Sequence, residues 1–109
     1  MDSKEMTDLR SELMIKLNRE TAKIDWQALQ RFYAQGAVLV VAPELDLVAS
    51  AVAVAEDNSQ YIADLLAKGL LQRADENHAQ QWLADQVEVW AVVVAPWVLV
   101  QRERQSPLQ

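Results

Sequence analysis

The chain contains no cysteine, which excludes disulfide staples, thiolate zinc sites and thiol nucleophiles. A single histidine, His78, excludes a multi-histidine metal cluster. The only two glycines are Gly36 and Gly69. They are too far apart to form a glycine loop that cradles phosphate, and neither flanks a serine in a nucleophile elbow. The longest apolar stretch runs from Val89 to Val100 and carries Pro96. It is too short to cross a bilayer as a helix, so no membrane association is expected. The opening residues, Met1-Asp2-Ser3-Lys4-Glu5, lack the apolar core of a secretory signal, and a cytoplasmic location is expected. Bases are scarce as well. Ten Lys and Arg face sixteen Asp and Glu, a net charge of −6.

That charge is unevenly placed. Residues 1–36 hold as many bases as acids, whereas residues 37–101 hold Lys68 and Arg73 against nine acids. An acidic body with no basic stripe repels phosphate backbones, which argues against nucleic acid as a partner. The interleaved charges of the first third suit solvated helix faces. With 51% apolar residues in 109, the chain has enough material for the core of one domain, expected to be ordered over about 7–102 with a frayed tail at 103–109.

Periodicity predicts the elements. Leu9, Leu13 and Leu17 lie four apart, one stripe of an amphipathic helix over about 7–22 that Thr7 or Asp8 could cap. Trp26, Leu29, Phe32 and Tyr33 restart the pattern after Asp25, giving a second helix to about residue 35, with Gly36 as its left-handed stop. Ala37 to Ala42 is a short β-branched run ending at Pro43, a buried strand. The stretch 47–55 is ambiguous. Alanine content and Asp46 as a cap favour helix, while strict Val/Ala alternation favours a strand pairing with 37–42, and the strand reading is preferred. A helix follows Asp57-Asn58-Ser59, then a brief strand at 70–73, a helix from Asp75 to about Asp85, and one long strand from Val87 to Arg102 interrupted at Pro96. The expected fold is α+β: an N-terminal helical hairpin or kinked helix followed by β-β-α-β-α-β, with helices packed on a small, mostly antiparallel sheet.

Candidate chemistry is sparse. His78 has only Asp75 and Glu76 nearby in sequence, and a surface histidine in a first helical turn is the better reading. The acid pairs Glu44/Asp46, Glu56/Asp57 and Asp75/Glu76 lack calcium-loop spacing, so no metal and no cofactor is expected. The polar joint around residues 18–26 offers one alternative, a small-molecule or enzymatic cleft. It would be lined by Glu20, Thr21, Trp26, Arg31 and Trp97 and take an anionic or planar ligand. The C-terminal stretch is the more unusual feature. Proline cannot donate to a strand ladder, so Pro96 implies a bulge or an edge, and a long apolar edge invites pairing. Trp90, Val92, Val94, Pro96, Trp97, Val98 and Val100 are therefore the candidate interface of a homodimer.

Several separated segments resemble one family. These are Leu17-Asn18-Arg19-Glu20-Thr21-Ala22-Lys23-Ile24 with Trp26, then Leu29 to Gly36, then Leu45-Asp46-Leu47-Val48, and finally Trp90 to Gln101. Together they resemble the domain of unknown function 2288, over about residues 9–101. The resemblance departs at Ala49, where the family pattern carries an acid. It implies a bacterial cytoplasmic protein and brings no activity, cofactor or catalytic residue. The poverty of catalytic groups weighs against an enzyme, and the expected role is self-association or interaction with another protein.

Overall fold

The structure, a computed structural model, describes the backbone of residues 3–103 and the side chains of residues 9–103. The expected caps Thr7 and Asp8, and all of the expected tail beyond residue 103, lie outside these side chains. The elements are α1 (Ser3–Glu20), β1 (Ala22–Asp25), a 3-10 turn (Trp26–Leu29), α2 (Gln30–Ala34), β2 (Val38–Val41), α3 (Leu47–Ala55), α4 (Ser59–Ala67), β3 (Leu71–Arg73), α5 (Glu76–Ala84), β4 (Glu88–Val94) and β5 (Trp97–Gln101). The strands form one sheet in the order β1-β4-β5-β2-β3. Only β2 and β5 run parallel; the other neighbours are antiparallel. The fold is thus α+β, helix first, with a mostly antiparallel sheet.

Three elements differ from expectation. Residues 47–55 are helix α3 and not a strand. Asp46 Oδ1 accepts hydrogen bonds from the Val48 N–H at 2.9 Å and the Ala49 N–H at 3.3 Å, satisfying two of the loose donors of a helix start. Six of its nine residues are buried, Leu47, Val48, Ser50, Ala51, Val52 and Ala53, because α3 is wedged between the sheet, α1 and α4. A helix enclosed in this way is apolar nearly all round and shows no 3.6-residue rhythm. Its Val/Ala alternation therefore carries no information about strand.

The expected single strand 87–102 is a hairpin. β4 and β5 pair from Trp90↔Gln101 to Val94↔Trp97, and Ala95-Pro96, joined by a cis peptide bond, form the turn. Pro96 interrupts pairing because the chain reverses there, not because it bulges. The expected helix–helix joint is also partly strand. Residues 22–25 form β1, paired with β4 from Ala22↔Ala91 to Asp25↔Glu88, and the second helix is a 3-10 turn running into a short α2.

Strand alternation sends side chains to two faces, and helices cover both. On one face Leu39, Val41, Leu71, Val92 and Leu99 pack with Leu17 of α1, Leu47, Val48 and Val52 of α3 and Leu65 of α4. On the other, Val38, Val89, Val98 and Val100 pack with Trp26 and Leu29 and with Trp82 of α5. Gly36 and Gly69 end α2 and α4 at φ +71° and +72°, the left-handed stops that glycine takes without strain.

Gln101 is a polar residue wholly enclosed on the first face, 0% exposed. Its Nε2 donates to the carbonyls of Ala42 and Leu45, each at 2.8 Å. The side chain thereby pins the connection between β2 and α3 to the end of β5. Its Oε1 is buried without a partner.

Candidate functional site

The five residues expected to line a cleft are not brought together. Trp26 is 1% exposed beneath the second face, edge-on to Trp82 at 5.0 Å and to Tyr33 at 5.9 Å between ring centroids. Trp97 packs with the core of the opposite face, so the sheet stands between the two indoles. Arg31 is exposed on α2 and Glu20 is exposed at the end of α1. The Thr21 hydroxyl donates to the Leu17 carbonyl at 2.8 Å, closing the helix end rather than facing a cleft.

Three of the seven expected interface residues are interior and three half-buried. Val92, Val98 and Val100 are buried within the chain. Trp90 and Trp97 are half-buried, and each is roofed by a base. Lys23 Nζ lies 5.9 Å from the Trp90 ring and the Arg73 guanidinium 5.4 Å from the Trp97 ring, a favourable placement of cation over indole. Val94 is half-buried and Pro96 exposed at the hairpin tip. Beside them Val93, which the sequence reading did not single out, is 55% exposed.

The lone histidine is spent at a helix start. The His78 N–H donates to Asp75 Oδ1 at 2.9 Å, and the Asp75 N–H donates back to His78 Nδ1 at 3.1 Å. This is a reciprocal cap with imidazole in the place usually held by a Glu or Gln side chain. The His78 N–H holds the Asp75 carboxyl below the usual carboxylate range, helped by the charge of the imidazole when it is protonated. Among the described residues no group of three or more His, Asp or Glu side chains is placed to hold a metal ion.

The residue pattern of α1 leaves an apolar side chain uncovered in line with the core. Its inward stripe rises out of the core toward the N-terminus: Leu17 is 4% exposed, Leu13 is half-buried and Leu9 is 58% exposed. The helix outruns the surface it packs on. Met14 and Ile15 are exposed on two other sides of the helix, Met14 toward α3 and α4 and Ile15 beside Lys16 and Arg19, away from the stripe. A shallow groove of about 280 Å³ follows between α1, α3 and α4, with Val52 and Ala53 on its floor and Met14 and Tyr61 on its rim. An Arg10–Glu56 ion pair of 3.2 Å ties the groove's two sides. The exposure of Leu9 was hidden in the sequence, because Leu9, Leu13 and Leu17 are equivalent by spacing. Only the length of the layer beneath them separates the three.

A family model described as a protein of unknown function, DUF2288, matches residues 12–102. The chain belongs to the DUF2288 family. Its fold is similar to that of PA1075 from Pseudomonas aeruginosa, known from an NMR solution structure, with 43% sequence identity and a TM-score of 0.75. The match covers 91% of this chain and 93% of that one. No curated protein matches the chain significantly. Among the described residues no helix is long and apolar enough to cross a membrane.

Proposed function

We propose that this DUF2288 protein is a non-enzymatic association module of the bacterial cytoplasm, working as a homodimer through α1. The observation that carries this reading is the stripe Leu17–Leu13–Leu9 running off the end of the domain. An apolar helix face that continues past its own core is what a second helix covers in a two-fold contact.

Charge supports a second copy as the occupant. Within Ser3–Glu20 four bases stand against four acids, whereas residues 37–101 sum to −7. Two copies meeting through their bodies repel one another; two meeting through α1 do not. The β4–β5 ribbon offers less, since its own protomer buries most of it.

Light scattering on a sizing column tests the reading. At high micromolar concentration the wild type is expected at about twice 12.3 kDa, and Leu9→Glu at the mass of one chain, because a charge in the contact core costs several kcal/mol. Val93→Glu is expected to leave the dimer intact. A wild type at 12.3 kDa, or a Leu9→Glu variant that still runs as a dimer, defeats the proposal.

A further inference from the structure

A second feature lies on the other side of the molecule and does not depend on association through α1. Just past the carboxyl ends of β2 and β5, the one parallel pair, is a hollow of about 400 Å³, within the size range of small-molecule sites. Val40 and Trp82 give it an apolar wall, and Pro43 lies at its mouth. Gln72 of β3, His78 of α5 and Arg102 after β5 bring three polar side chains to it from three separate segments.

Two of these groups are held in place. His78 Nδ1 accepts the Asp75 N–H, and its ring lies 5.1 Å from that of Trp82. The same Nδ1 lies 2.9 Å from Asp75 Oδ1, so Asp75 engages that side of the ring and Nε2 is the ring nitrogen left for a ligand. Arg102 Nη1 donates to the Glu88 carbonyl at 3.0 Å, which anchors the guanidinium while most of its N–H fork stays unspent. We infer that this hollow binds a small planar monocarboxylate. The Arg102 fork takes the carboxylate, the Trp82 and Val40 wall takes the ring, and His78 Nε2 and the Gln72 amide reach polar atoms on the ring edge. Glu103 also lines the hollow, and its charge disfavours a second carboxylate on the ligand.

The test is an NMR titration of the full chain with nicotinate, using nicotinamide and a pyridine dicarboxylate as matched controls. Nicotinate is expected to give saturable shifts at Val40, Gln72, His78 and Trp82, with a Kd of about 1 mM or tighter. Both controls are expected to bind about tenfold more weakly. Arg102→Gln, an exposed position whose loss leaves the core untouched, is expected to weaken nicotinate about tenfold with the rest of the spectrum unchanged, and Leu9→Glu to leave binding as it was. The inference is overturned by the absence of saturation up to about 10 mM. Equal binding of nicotinamide, or an unaltered Kd in Arg102→Gln, overturns it as well.

Discussion

Gln101 offers a sharp test of how the sheet holds the β2–α3 connection, through the pair Gln101→Met and Gln101→Glu. Both substitutions keep the length of the side chain and remove both hydrogen bonds donated at 2.8 Å to Ala42 and Leu45. The Ala42 carbonyl keeps the Leu45 N–H at 3.0 Å, so its loss is about 0.5–1 kcal/mol, while the Leu45 carbonyl loses a donor at a cost of about 1–2 kcal/mol. Methionine also removes the unpartnered Oε1, which returns about 1 kcal/mol. The net cost of Gln101→Met is therefore about 1 kcal/mol. Glutamate at a position 0% exposed instead sets a carboxylate against two carbonyl oxygens with no donor in place, which costs about 4 kcal/mol or more. That is a large part of the roughly 5–15 kcal/mol of a domain this size. Urea unfolding reads the difference: with a slope of about 1.5 kcal/mol per M, the midpoint drops by about 0.7 M for Met and nearly 3 M for Glu. The Glu variant carries a pH signature too. Burial raises its folded pKa above the unfolded value, so its deficit grows as pH rises from about 4 and shrinks on acidification. If Gln101→Glu matches Gln101→Met at neutral pH, the side chain is in water and the enclosed clamp is refuted.

Three further outcomes follow from the same geometry. Asp46→Ala removes the cap on Val48 and Ala49 and is expected to cost about 1 kcal/mol in urea unfolding, with the slope unchanged. Asp75 has a lowered pKa, so its cap contributes fully above the ordinary carboxylate range and is lost as pH falls through the lowered value. Wild type is expected to show a steeper acid-side loss of stability than Asp75→Asn, and equal slopes would count against the cap. Val92→Thr and Val93→Thr separate the hairpin's two faces. The first buries a hydroxyl at a position 1% exposed and costs about 1–3 kcal/mol, whereas the second, at the half-exposed neighbour, stays within about 0.5 kcal/mol by thermal unfolding.

How much of this was legible in sequence depends on whether the signal was local. The caps of α4 and α5 were: Asn58 and Asp75 start these helices, and Gly36 and Gly69 stop α2 and α4, because each acts on backbone groups within four residues. Helix α4 was legible for the same reason, since the Asp57-Asn58-Ser59 cluster marks its start. α3 was misread because its environment is three-sided. A periodicity argument presupposes a polar side, and Leu47–Ala55 has almost none. β1 escaped notice because Ala22-Lys23-Ile24-Asp25 is strand only by pairing with Val89 and its neighbours, more than sixty residues away. The candidate cleft failed by the same limit. Trp26 and Trp97 are both aromatic and both near polar residues in sequence, yet a sheet separates them, and strand order is not written in either segment.

The proposed self-pairing uses a different surface from the expected one, and the reason is a matter of which apolar faces the fold covers. The ribbon reads as exposed if it is one strand of sixteen residues, Val87 to Arg102, because Pro96 within a single strand implies a bulge or an edge. Folded at Pro96, it becomes two adjacent strands near the middle of the sheet, and helices lie over both of its faces. The surface that is left must then come from an element longer than its support. α1, at eighteen residues, is twice the length of the helix α3 it packs on. Three of the seven large apolar side chains exposed among the described residues, Leu9, Met14 and Ile15, lie on it. The remaining four are scattered over α4, α5 and β4, as single surface hydrophobics commonly are. Met14 and Ile15 point to other sides of α1, so the proposed contact rests on Leu9, in line with Leu13 and the buried Leu17, rather than on the total of apolar area.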